Sequence, residues 1–328
     1  DRCPRDDRTP RTGRARTRPE ADSAREAASG QQGAQRRAGV GLPHQVLAHQ
    51  HDVAGVARRA ESLGYDILAA GEHVSFYGPV TNSFVTLGVA AGATRTIRLM
   101  SSIVLLPLYP AALAAKLGAA LQVASDGRYL FGVGVGGEYP REFEACGVPV
   151  KERGARTDEA LQVINQLWHQ DEVTFEGRFN TLKEVTIAPR HVTPPPVWVA
   201  GRQEAAMRRT ARYGTGWMPY MYTPEQLAKS ISTINTLAED AGRSPEDIRH
   251  GIFLWSVVHE DGERARQMAI DMLSKNYAQD FSRLVDKYAL AGNPEQCKAR
   301  LQEYIDAGAT LALLPAATSD DQAEASMT

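Results

Sequence analysis

Glu72-His73 directly follows an apolar run over residues 67–71, and an imidazole beside a carboxylate at such a point can exchange a proton near neutral pH. The same histidine could equally be a rim residue that only hydrogen-bonds the backbone or packs against a ring, and the sequence leaves both readings open. Gly132-Val133-Gly134-Val135-Gly136-Gly137 satisfies G-x-G-x-x-G. A dinucleotide-binding fold places that motif after its first strand and opens a helix with it. Here it falls on the fourth apolar run, and Glu138-Tyr139-Pro140 is a poor immediate helix start. The dinucleotide reading is therefore set aside. What survives is that glycines let backbone N–H groups approach an anion closely. A second turn, Val199-Ala200-Gly201-Arg202-Gln203, ends a strand and begins a helix at once, so free N–H groups and the positive helix end converge there. Arg202 would add a charge-assisted bond. Two such turns together point to a cofactor that carries phosphate.

Other candidates carry less. His49-Gln50-His51 has the H-x-H form of metal-dependent barrel hydrolases, but such a site needs ligands from later strands. The runs VWVAG, GWMPY and LALLP supply none, so a metal is not expected. Trp217, Met218, Tyr220, Met221 and Tyr222 would either wall a flat ring or simply pack a barrel, while Trp198 and Trp255 read as packing residues. Cys146 has no base in its immediate sequence, so nucleophilic chemistry is not expected of it.

The elements that must position these residues alternate in type. Short apolar runs at 39–43, 67–71, 97–106, 129–135, 197–200, 216–220, 248–258 and 311–314 read as strands. Helical patterns separate them, at 51–64, 83–93, 111–124, 155–168, 203–213, 224–241, from 261 towards 287, and at 294–307. A small hairpin is expected at 173–179. Strands that are apolar throughout imply a parallel sheet covered by helices, and eight such units imply a (β/α)8 TIM barrel with its site at the strand C-termini. The eighth helix is short or absent, because only a polar tail (316–328) follows the barrel at 39–315.

Residues 1–38 contain no Val, Ile, Leu, Met, Lys or aromatic residue. Such a segment cannot bury enough apolar surface to offset the entropy of ordering it, so a disordered leader is expected. It lacks the apolar region of a signal peptide, and without an initiator Met it reads as foreign to the folded protein. The formal charge of −2 over 328 residues gives no general attraction to nucleic acid or to a membrane. Three cysteines far apart fit a reducing, cytoplasmic setting.

In order along the chain, Ala60-Glu-Ser-Leu-Gly-Tyr-Asp66, Gly71-Glu-His73, Thr96-Ile-Arg-Leu99, Asp126-Gly-Arg128, Gly147-Val-Pro149, Glu152-Arg-Gly-Ala-Arg-Thr-Asp-Glu159, Pro196-Val-Trp-Val-Ala-Gly201 and Gly214-Thr-Gly-Trp217 resemble segments of the luciferase-like superfamily. The chain most resembles the branch that uses coenzyme F420, a deazaflavin, and FMN-dependent monooxygenases share many of the segments. The resemblance implies a small-molecule oxidoreductase with F420, or alternatively FMN, as cofactor. It places the cofactor phosphate at Gly136, Gly137, Gly201 and Arg202, and the catalytic pair at Glu72 and His73. Ser102-Ile103 falls where the family has a non-proline cis peptide against the ring, and Tyr77, Glu138 and Trp217 fall around the substrate. A glutamate found in some sugar-phosphate dehydrogenases of the family aligns with Gly137, so that substrate is not implied. A homo-oligomer, and a flavin or deazaflavin reductase as partner, belong to the same expectation. The alternatives are an FMN monooxygenase using oxygen and a barrel that binds flavin without catalysis.

Overall fold

The computed structural model describes residues 37–41, 52–78 and 80–316. Most of the leader, the His49/His51 pair and the tail from residue 317 lie outside the described residues. The elements follow in chain order as β1 (Arg37–Gly41), α1 (Val53–Ser62), β2 (Ile67–Ala70), α2 (Ser83–Ala93), β3 (Arg98–Ser101), β4 (Val104–Leu105) and α3 (Ala111–Ala124). Next come β5 (Tyr129–Gly134), α4 (Pro140–Ala145), α5 (Arg153–His169), the hairpin β6 (Val173–Glu176) and β7 (Thr181–Val185), then β8 (Val197–Ala200) and α6 (Glu204–Tyr213). The chain continues through β9 (Gly216–Met218), α7 (Pro224–Asp240), β10 (Arg249–Phe253), β11 (Ser256–Val258) and α8 (Gly262–Tyr277). It closes with α9 (Val285–Tyr288), β12 (Leu290–Gly292), α10 (Pro294–Asp306) and β13 (Leu311–Leu313).

Eight strands pair side by side, all parallel, in the order β1-β2-β3-β5-β8-β9-β10-β13, and β13 returns to β1. With the pairing of β3 and β5, Leu99 opposite Tyr129 and Met100 opposite Leu130, the ring of strands closes into a barrel. The strands are apolar throughout because both faces are covered. Ile67, Ala69, Met100, Leu130, Trp198, Met218, Leu311 and Leu313 pack into one core. Their neighbours Leu68, Leu99, Tyr129, Phe131 and Val199 pack into another with apolar residues of α2, α3 and α5. Among the described residues no helix is long and apolar enough to cross a membrane.

Two strands read as continuous are broken. The run at 97–106 ends as β3 at Ser101, passes a cis bond at Ser102-Ile103, and resumes as the two-residue β4, which pairs on β5. The run at 248–258 serves two cores. Its first half, β10, belongs to the barrel, and its second half, β11, leaves to pair with β12, which the sequence reading missed. β11 remains apolar because Val257 packs with Ala265, Ala269 and Leu273 of α8. The barrel also starts at Arg37, two residues before the strand expected at 39, and Ala316 makes an isolated bridge to Ser256 in what read as tail.

His250 on β10 is buried in the helix-facing layer, and its Nδ1 has no hydrogen-bond partner. Burial pushes its imidazole down to about 4. The unfolded chain takes up this proton near pH 6.5 while the folded protein does not, so stability must fall as pH drops from about 6.5 towards 4. Between pH 7.5 and 5 the loss is about 2 kcal/mol. Urea unfolding of wild type and His250→Phe at both pH values isolates this contribution, which should vanish in the variant; equal pH dependence in the two would refute it.

Candidate functional site

A cavity of about 670 Å³ is lined by residues from the C-terminal ends of the strands and the loops that follow them. Glu72, His73, Ser102, Ile103, Gly136, Gly137, Glu138, Gly201 and Arg202 all line it. Residues more than 100 positions apart in sequence are thereby brought to one surface, which is what a parallel barrel does with the ends of its strands.

His73 is held by a residue the sequence reading missed. Its Nδ1 lies 3.1 and 3.3 Å from the two carboxylate oxygens of Glu142, a side chain with no exposed surface, and one of those oxygens also accepts the Val74 N–H at 3.3 Å. The ring stacks on Phe76, with centroids 4.0 Å apart. A carboxylate at Nδ1 keeps the proton on that nitrogen, so Nε2 carries the lone pair and can accept a proton. Glu142 lies in the first turn of α4. Pro140 opens that helix at a position where a missing N–H does no harm, and Gly147, at φ 68°, follows its end. That Pro-to-Gly bracket was the available signal, and reading Pro140 as a poor helix start concealed it.

Glu72 is buried and differently employed. Its Oε2 accepts from Asn82 Nδ2 (3.1 Å), Ser83 Oγ (2.8 Å) and Ser83 N–H (3.3 Å), and its Oε1 accepts from Leu105 N–H (3.2 Å). Burial raises its carboxyl above the usual range, against the pull of the Ser83 and Leu105 donors. The side chain ties the loop after β2 to the start of α2 and to β4. Glu138 stands among cavity walls whose exclusion of water raises its carboxyl, while His73 and Arg202 draw it back down. It keeps much of its surface accessible, so the effect is that of a cavity wall rather than a closed core.

The glycine turns form a cationic region. Gly136 and Gly137 have φ of 58° and 104°, and Gly201 has φ of 133°. A Cβ on Gly137 would stand 2.9 Å from Arg153 Nε, so the guanidinium lies across the bare glycine. Arg153 donates to the Val150 carbonyl at 3.0 Å, Arg202 sits 4.8 Å over the Tyr220 ring, and Lys151 lines the same cavity. Arg209 is also on the wall, but Asp158 neutralises it at 2.6 Å. Close-approach backbone with several cations fits the phosphate end of a cofactor. Ile103, Leu105, Met218, Phe253 and Tyr277 add largely apolar wall, which fits a flat ring.

Tyr77 and Trp217 are not among the lining residues. Tyr77 is exposed and makes edge contacts with Phe76 and Tyr139. Trp217 is fully buried in the helix-facing layer, where its Nε1 donates to the Gly201 carbonyl at 2.9 Å and so braces that turn. Cys146 is exposed at the end of α4.

Comparison with known proteins adds three relatives and a family. The family model described as luciferase-like monooxygenase matches residues 27–311. An uncharacterized protein of Mycobacterium tuberculosis is 33% identical over 214 residues, 59% of this chain and 74% of that one. The F420-dependent glucose-6-phosphate dehydrogenase of Amycolatopsis mediterranei is 26% identical over 287 residues, 78% of this chain and 86% of its own. The crystal structure of monooxygenase RslO1 from Streptomyces bottropensis superposes with a TM-score of 0.78 at 26% identity, over 89% of this chain and 96% of that one.

Proposed function

The chain belongs to the luciferase-like monooxygenase family, whose members are flavin- or F420-dependent oxidoreductases, and from this premise we propose that it transfers hydride between coenzyme F420 and a small organic substrate. One observation carries the reading: a single cavity is lined both by the two glycine turns with their cations and by a histidine whose Nδ1 is held by a buried carboxylate. F420 dehydrogenases among its similar relatives favour the deazaflavin. The likeness to a monooxygenase supports FMN with oxygen as the second reading.

The bound cofactor supplies a flat ring that gives or takes hydride. The chain does the rest. Gly136, Gly137 and Gly201 present backbone to the phosphate, and Arg202 with Arg153 neutralises it. His73 Nε2 accepts the proton of a substrate hydroxyl, or returns it in the reverse direction, and Glu142 stabilises the ring while it is charged. The apolar wall keeps water from the reacting carbon. Reconstitution with F420 and with FMN, followed by an absorbance assay of hydride transfer and of oxygen consumption, separates the two readings. Oxygen-independent turnover with F420 supports the first, and oxygen-dependent turnover with FMN alone overturns it.

Arg202→Ala is expected to weaken cofactor binding about tenfold, roughly 1.5 kcal/mol for one charged hydrogen bond at an open site. Fluorescence titration of wild type and variant reads this directly. Unchanged affinity would take Arg202 out of the phosphate site.

A further inference from the structure

We propose that the Tyr277 hydroxyl is a fixed hydrogen-bond donor that selects an uncharged oxygen, a carbonyl or a hydroxyl, on the molecule bound in the cavity. This rests on the reading of that cavity as the place where substrate binds. Tyr277 is the last residue of α8 and lines the cavity. Its oxygen receives the Trp255 Nε1–H at 3.0 Å. An indole nitrogen can only donate, so the direction of this bond is settled. A phenol has one proton to give, and since the indole donates to its oxygen, that proton is not used in this bond and is available for donation. Among the described residues no acceptor for it is found, and Tyr277 is part of the cavity lining.

The donor is held in place. Trp255 is buried and packs edge-on against Phe253, itself a lining residue, with ring centroids 5.4 Å apart. Phe281 backs the Tyr277 ring at 5.5 Å. Burial pushes the phenol up to about 12, so it stays protonated and acts as a donor, not as a base, at any ordinary pH. The sign of its partner follows from the surroundings. Glu138 and Arg202 line the same cavity and act on Tyr277 in opposite senses, so an anion gains no net attraction there. A neutral oxygen is also the easier one to desolvate at such a donor. A site that engages a substrate oxygen in this way discriminates against the analogue that lacks it.

The test uses the full chain and a probe panel: cyclohexanone, cyclohexanol and acetophenone, each with its hydrocarbon counterpart, measured by saturation-transfer NMR. Wild type is expected to bind the oxygenated member of each pair more tightly. Tyr277→Phe, which keeps the ring, should lower affinity for those members alone by about 2- to 12-fold, the range for one neutral hydrogen bond. Trp255→Phe should lower it by less, since it frees the hydroxyl without removing it. A wild type that shows no preference for oxygen, or a preference that survives Tyr277→Phe, overturns the proposal. Titration of the same proteins with F420 and FMN keeps the two readings apart. Absence of cofactor binding with the oxygen preference intact removes the proposed redox function alone, whereas cofactor binding without the preference removes only Tyr277.

Discussion

His73→Asn is expected to lower turnover about 10²–10⁴-fold, the usual range for a lost proton-transfer group, while melting temperature and cofactor affinity stay near those of wild type. Asparagine is chosen for what it keeps. Its amide nitrogen falls near the place of the imidazole Nδ1, so Glu142 retains a donor at the position now 3.1 Å away. It has nothing at the place of Nε2, the atom proposed to move the proton. His73→Ala, the obvious deletion on sequence grounds, is a poorer probe. It leaves the Glu142 carboxylate fully buried with the Val74 N–H still donating to it, and an uncompensated buried charge destabilises by about 3–5 kcal/mol. Alanine should therefore lose stability and turnover together, and asparagine turnover alone. If His73 only braces the rim, the asparagine variant will keep its turnover, and the proton-transfer role is wrong. Glu142→Gln adds a second arm: it keeps the shape of the contact, removes the charge, and should lower turnover by less than the asparagine does.

The difference between those two variants marks where the sequence stopped being informative. Glu72-His73 could be read as a rim pair because an apolar run ends just before it, and strand ends fix which residues reach the mouth of a barrel. Glu142 could not be paired with it, because 69 positions separate the two and only the barrel's closure brings them together. The glycine turns were legible for a related reason: each sits where an apolar run stops. Backbone angles separate the glycines of 132–137 into two groups. Gly136 and Gly137 have positive φ, whereas Gly132 and Gly134 do not, so one string of glycines answers two different demands. Continuous apolar runs were misread where one run serves two cores, as at 248–258, since hydrophobicity reports burial and not which layer does the burying. Tyr277 left no signal at all, because it reaches the cavity from the end of a helix beyond the two-stranded sheet β11–β12.

Gly132→Ala is expected to destabilise the protein by about 3–5 kcal/mol, the upper end for a single methyl group. The glycine is required for space, not for its conformation. A Cβ there would lie 1.9 Å from the Ser101 carbonyl oxygen, which is backbone and cannot swing aside. The two strands are also locked at this level. Ser101 Oγ donates to the Gly132 carbonyl and accepts the Gly132 N–H, both at 2.9 Å, and the Tyr129 hydroxyl lies 2.9 Å from the same oxygen. Relief of the clash must therefore push β3 from β5, the pairing that closes the barrel, and must carry Ser102 and Ile103 of the cavity wall with it. Gly136→Ala is the matched control. Its obstacles are side chains, Leu105 Cδ2 at 3.0 Å and the Phe143 ring at 3.3 Å, so its stability loss should be near the roughly 1 kcal/mol of a left-handed alanine. Its larger effect should fall on cofactor affinity. Urea unfolding and cofactor titration on both variants give four numbers, and the pattern predicted is stability lost at 132 and affinity lost at 136. A Gly132→Ala protein within about 1 kcal/mol of wild type would mean that β3 and β5 do not approach as closely as the barrel's closure requires.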